Sequence, residues 1–133
     1  MEREAPGQSD RREFVRVRTV LSVRYSFLGV DGAKLPPGVS EGSCANLSAG
    51  GLLLQGKLPD LAILPDLLTQ KISVSLAIVL PTGVEPLKAT ARAAWVEAVD
   101  PVTKRCNLGL HFKDLSREDQ DRLFQFVIRA QIS

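Results

Sequence analysis

From Val17 onward the odd positions read Val17, Thr19, Leu21, Val23, Tyr25 and Phe27, while Arg18, Ser22, Arg24 and Ser26 occupy even ones. Apolar residues at every second position mark a strand with one buried face, so one long strand is expected over 17–27. Residues 29–40, broken by glycines and prolines, read as a loop. A second strand region follows near Glu41 to Gln55, interrupted at Gly50-Gly51, and the proline-bounded stretch Leu58 to Leu68 reads as a turn with a short helix or irregular cover. Three further alternations stand out: Ile72, Val74, Leu76, Ile78 and Leu80; Leu87, Ala89, Ala91, Ala93 and Trp95; and Cys106, Leu108, Leu110 and Phe112. Pro81-Thr82-Gly83 and Asp100-Pro101 supply turns between them. The period then changes. Leu123, Phe124, Val127, Ile128 and Ala130 recur at helical spacing behind Ser116, a natural N-cap with Asp119 three residues on. Alternating strands at short spacing, closed by one helix, predict an antiparallel barrel or half-open barrel with the helix on one side.

Composition narrows the function. At 133 residues, with 44% hydrophobic and 24% charged, the chain is sized for one domain with its own core. Cys44 and Cys106, the two cysteines, sit among small or apolar residues without CxxC spacing and read as core residues. The start has no apolar stretch like that of a signal peptide, and the longest strictly apolar run, Leu76 to Leu80, is too short to span a bilayer. A cytoplasmic protein without membrane insertion is therefore expected. Enzyme chemistry is poorly supplied. The single histidine, His111, falls opposite the apolar positions of its strand and has no second histidine or paired acid nearby. GxGxxG, GxxxxGK[ST] and HExxH are absent. Neither an enzyme nor a cofactor is expected.

Charge is unevenly spread. The formal net charge is +2, yet Arg11, Arg12, Arg16, Arg18 and Arg24 cluster against one acid, Glu13. Arg11, Arg12 and Arg16 repel one another, a poor arrangement for folding alone, though a solvated basic arm ahead of a strand fits the same residues. Guanidinium forks pair bidentately with phosphate oxygens and guanine edges and stack on bases. About thirty residues beyond Arg16 comes Asn46-Leu47-Ser48-Ala49-Gly50-Gly51. Asn46 and Ser48, two apart in a strand-like context, are expected to face the same side and offer donors and acceptors suited to a base edge. The paired glycines permit close approach of a ligand; a bulged strand end with a local turn fits the same residues. An OB-like nucleic-acid barrel would interleave aromatics along a basic groove. The few aromatics here mostly fall on expected core faces, so no DNA or RNA partner is expected.

Taken together, RRxxxR followed by NxSxxG resembles the signature of the PilZ domain family, and Asn107 to Phe112 and the closing helix extend the resemblance over nearly the whole chain. It implies a mainly β fold, a six-stranded antiparallel barrel with a C-terminal α-helix: a flexible tail at 1–10, the arginine arm at 11–16, the barrel at 17–113 and the helix at 117–131. It also implies the ligand, the bacterial second messenger cyclic di-GMP. Arg12 and Arg16 match the family's RxxxR. Arg11 matches the preceding position, where arginine favours a stacked pair of ligands over one. Asn46, Ser48, Gly50 and Gly51 fall in the [D/N]xSxxG motif. Trp95 belongs to an apolar face and is expected in the core, although some members place a ligand-contacting aromatic there. The function so implied is a second-messenger receptor, monomer or homodimer. It orders its arm on binding and signals to an effector protein in motility, biofilm or exopolysaccharide control. The competing reading is a non-binding adaptor acting by protein contact in pilus or motility machinery.

Overall fold

The computed structural model describes residues 16–17, 20–31, 38–81 and 85–132, with backbone alone at 16–17 and 131–132. The tail at 1–10, the arm residues Arg11, Arg12 and Phe14, and turn residues Thr82 and Gly83 lie outside the described residues. Among the described residues eight strands are formed: β1 (Arg16–Val17), β2 (Leu21–Leu28), β3 (Ser40–Ala45), β4 (Leu47–Ser48), β5 (Gly51–Lys57), β6 (Ser73–Ile78), β7 (Leu87–Glu97) and β8 (Arg105–Leu115). A 3-10 turn at Leu61–Ile63 runs into α1 (Leu64–Leu68), and α2 (Arg117–Ile132) closes the chain. Six strands form a closed barrel in the order β2-β3-β5-β8-β7-β6, and β1 with β4 makes a separate two-stranded ribbon. All barrel pairings are antiparallel. The expected mainly β barrel with a C-terminal helix is the observed fold.

The alternating residues fill the barrel. Leu21, Val23, Tyr25 and Phe27 of β2, Val74, Leu76 and Ile78 of β6, and Cys106, Leu108 and Leu110 of β8 are all buried. Tyr25 reaches toward the end of the barrel where β3 and β5 part. Its hydroxyl donates to the Lys57 carbonyl at 2.7 Å and accepts from the Lys57 N–H at 2.8 Å, standing in for a missing rung of the ladder. Its ring meets Phe27 edge-on, with centroids 5.7 Å apart. Two helices cover the openings. α1 sits at the end where β5 finishes and β6 begins, with Leu67 buried and Gln70 donating to the Ala93 carbonyl at 2.8 Å. α2 packs on β1, β4 and β7 at the other end, burying Leu123 and Val127. Its predicted cap is formed: the Asp119 N–H donates to Ser116 Oγ at 3.0 Å.

Two strand expectations change. The long strand over 17–27 is broken, because Val17 pairs with Leu47 in the ribbon and Val20 is 77% exposed before β2 begins at Leu21. The chain therefore enters the barrel from a ribbon lying outside it. Trp95 is not a core residue: it is 42% exposed. The β7–β8 register shifts between Ala93 and Trp95, so Ala94 is an extra residue with no partner on β8. A bulge of one residue reverses the inward–outward phase. Ala93 points inward opposite Leu110, whereas Trp95 stands outside opposite Gly109.

Burial also sets a pH dependence. It pushes the Cys44 thiol up to about 12 and raises that of Cys106. The Tyr25 hydroxyl is raised by burial as well, partly offset by its hydrogen bond with the Lys57 backbone. Unfolded, these groups release their protons first as pH rises past about 8.5 for the thiols and about 10 for the phenol. Their contribution to stability is complete below that range and is lost as the pH climbs toward the folded values. Urea midpoints should hold level on this account from pH 7 to 8 and fall by pH 10.5; a Cys44→Ala variant should show a shallower fall.

Candidate ligand-binding site

The last residue of the first motif meets the second motif where the ribbon joins the barrel. Arg16 lies directly opposite Ser48, and Val17 opposite Leu47. Leu47 is fully buried and Ser48 is 8% exposed. Between β3 and β4, Asn46 adopts φ 53°, the left-handed region that asparagine enters more readily than most residues. This breaks the strand alternation expected to align Asn46 with Ser48. Asn46 is half-buried in the bend, and Ser48 is committed to the turn that follows. Ser48 Oγ accepts from the Gly50 N–H at 3.2 Å and donates to the Gly51 carbonyl at 3.3 Å. The local-turn reading of these residues thus holds for Ser48, whose hydroxyl shapes the loop.

The loop is clamped to β8. The Phe112 N–H donates to the Gly50 carbonyl at 2.9 Å, and Gly51 opens β5 directly opposite His111. A Cβ on Gly51 would lie 2.0 Å from the Leu110 carbonyl oxygen, so only glycine lets β5 close on β8 at this point. Gly109 is equally constrained from the outside, since a Cβ there would meet the Trp95 indole at 2.2 Å. The indole therefore lies over bare backbone on one side and keeps surface open to solvent.

The outer face beside the turn is thus built from three strands. One row runs Gly51, His111, Arg92, and the next runs Leu53, Gly109, Trp95. His111 is exposed, as its strand position implied. Of the residues singled out in sequence, the fold brings Arg16, Ser48, Gly50 and Gly51 together, sets Asn46 in the bend leading into them, and places Trp95 one row along β8. Arg11 and Arg12 lie outside the described residues. Alternation marks Arg92 only as an outward position of its strand; its place in the row depends on strand register, which the linear pattern does not carry. Among the described residues no group of three His, Cys, Asp or Glu side chains gathers as a metal site, and no helix is long and apolar enough to cross a membrane.

The PilZ domain family model matches residues 10–129. The chain belongs to the PilZ domain family. Solved structures share the fold at low sequence identity. Bacillus subtilis MotI/DgrA, an inhibitor of motility, aligns with TM-score 0.63 and 22% identity over 99% of this chain and 56% of its own. The PilZ domain of Escherichia coli YcgR, solved with c-di-GMP, aligns with TM-score 0.56 and 12% identity over 92% of each chain. The MrkH–c-di-GMP complex of K. pneumonia aligns with TM-score 0.58 and 16% identity over 92% of this chain and 52% of its own. The chain thus spans little more than half the length of MotI/DgrA and MrkH. No curated protein matches it.

Proposed function

We propose that this chain is a receptor for cyclic di-GMP, bound where Arg16 pairs with Ser48 of the NxSxxG motif. The observation that carries the reading is the pairing of Arg16 with Ser48, which joins two motifs far apart in sequence on adjacent strands. Arg11, Arg12 and Arg16 supply guanidinium groups for phosphates and guanine edges. Asn46 offers its amide from the bend. Ser48, Gly50 and Gly51 form a low turn that a ligand can approach closely, with Ser48 holding its shape. Trp95 offers an exposed ring surface for a base, with Gly109 beneath. A neutral Asn46 lacks the charged acceptor of an aspartate toward guanine N–H groups, so Asn46→Asp tunes affinity without being required for it. Membership of the family and the ligand carried by YcgR and MrkH support the same reading.

Closure of residues 11–16 over the ligand is the change an effector protein would read, and the arginine at position 11 favours a stacked pair of ligand molecules. The protein acts by binding rather than by catalysis, in the cytoplasm, in control of motility, biofilm or exopolysaccharide.

Calorimetry with cyclic di-GMP tests the reading directly and gives the stoichiometry. Each of Arg12→Ala and Arg16→Ala removes charge-assisted hydrogen bonds worth about 1.5–3 kcal/mol, so each should weaken binding by roughly 10- to 100-fold. Trp95, the chain's single tryptophan, should report the same titration through its fluorescence. No binding by the unaltered protein would favour the adaptor reading; full binding by both arginine variants would remove the site from the arm.

A further inference from the structure

The turn that clamps onto β8 has a cationic neighbour that neither motif includes. His111 lies opposite Gly51 on one side and opposite Arg92 on the other. Both side chains point away from the barrel: Ala91, Ala93 and Leu110, their inward neighbours, are buried, while Arg92 and His111 are exposed. Arg24 and Arg122 have acids beside them, with Glu41 at 3.7 Å and Asp119 at 3.0 Å. Arg92 has no such partner among the described residues. Along its own face the nearest acid in register is Asp114, one row away opposite Thr90. A guanidinium held in mid-strand, beside an imidazole and without a carboxylate, is poised for an anion from outside.

The geometry gives that anion a position. Neighbouring strands lie about 4.8 Å apart, which puts Arg92 about 10 Å across the sheet from Gly51. Gly51 is itself buried, with the Leu110 carbonyl in the place of a side chain, so β5 adds no side chain beside His111 at this row. The row Gly51, His111, Arg92 is therefore a shelf that runs from closely packed backbone to two exposed side chains, the outer one a long cation. The ribbon, with Arg16, enters the same turn through β4 rather than through β8. A ligand on the turn would thus lie between β1, paired with β4, and the shelf on β7 and β8.

We infer that Arg92 and His111 form a second anion-binding wall of this site, holding a phosphodiester of the cyclic dinucleotide on the side facing β7 and β8. This rests on the proposed cyclic di-GMP reading and adds a specificity device to it. A ligand with two phosphates held apart by a ring can keep one on the wall while the other lies toward the β4 side of the turn. A mononucleotide such as 5′-GMP engages only one of these sides. Arg92 thereby contributes selectivity as well as affinity.

The test is calorimetric titration of the full chain with cyclic di-GMP and with 5′-GMP, at low and moderate salt. The proteins compared are the unaltered chain, Arg92→Gln, His111→Gln and Lys88→Gln. Lys88 is an exposed cation of the same strand, opposite Ala77 and away from the row. Arg92→Gln should bind cyclic di-GMP about tenfold more weakly, with a flatter salt dependence and an unchanged melting temperature. His111→Gln should lose about threefold, and Lys88→Gln should match the unaltered protein. Selectivity over 5′-GMP should narrow in Arg92→Gln. If the unaltered protein binds and Arg92→Gln binds equally well, the wall is refuted while the site on the turn stands. An equal loss in Lys88→Gln would reduce the effect to general surface charge and refute it too. Absence of binding by the unaltered protein would instead overturn the receptor reading beneath it.

Discussion

Gly51→Ala should lower the melting temperature by roughly 10 °C, corresponding to a loss of about 3–4 kcal/mol. The cause is a backbone collision. The added methyl would lie 2.0 Å from the Leu110 carbonyl oxygen, 3.0 Å from its carbon and 3.2 Å from His111 Cα, and none of these atoms can swing aside. Strands β5 and β8 would have to part at the first residue of their ladder. That separation also releases the 2.9 Å bond from the Phe112 N–H to the Gly50 carbonyl, at about 1 kcal/mol for each hydrogen bond lost. Overpacking costs about 1–3 kcal/mol on its own. Gly109→Ala provides the contrast, because the atoms it meets belong to the Trp95 indole, a half-exposed side chain that can rotate away. Its loss should be clearly smaller. Differential scanning calorimetry of both variants decides the matter: a Gly51→Ala protein melting within 2 °C of the unaltered one would mean that the turn is not clamped as described.

Leu123→Ala should cost about 3 kcal/mol in urea denaturation, within the span found when buried leucines are truncated. Leu123 is fully buried in the hydrophobic core on the helix that closes one end of the barrel. Leu47, fully buried, stands on β4, which α2 also packs against. Polar contacts hold the start of α2 in place, so the helix cannot slide to fill the void. Asp119 accepts from the Lys88 N–H at 3.2 Å and from Arg122 at 3.0 Å, while Arg122 also donates to the Glu85 carbonyl. Phe124→Ala, one residue on but 40% exposed, should lose far less. Equal losses in the two variants would show that α2 does not seal the barrel through Leu123.

Most of the barrel was legible because its information is local. Each of β2, β6 and β8 carries an alternating set whose inward members are the buried ones, and Ser116 marks the start of α2 with a side chain that does cap it. The motif residues were legible as a set, and the fold places Arg16 opposite Ser48. Their local geometry was not. Alternation assumes extended backbone throughout, and the left-handed Asn46 breaks that assumption at the point where the motif begins. The Trp95 position failed for a related reason. One unpaired alanine in β7 shifts the phase of everything after it, and no property of Ala94 in the sequence marks it as the extra residue. The single long strand expected from Val17 failed because the pattern does not show that Val17 pairs with Leu47 outside the barrel. Arg92 and His111 become neighbours only once β7 and β8 are in register. Pattern thus specified most of the residues that face inward, while the bends, bulges and pairings that assemble the candidate site depend on partners distant in the chain.

Closure of the barrel bears on how the protein can associate with others. Each of its six strands has a hydrogen-bonded neighbour on both sides, and the ribbon's own edges are two residues long. An exposed strand edge recruits other chains through main-chain groups that every sequence possesses, with little power to discriminate between them. Here that route is closed along the barrel, leaving recognition to side chains on the outer faces and on α2. Contacts of that kind can be gained, lost or exchanged one residue at a time. The barrel can therefore change what its surface binds without being rebuilt.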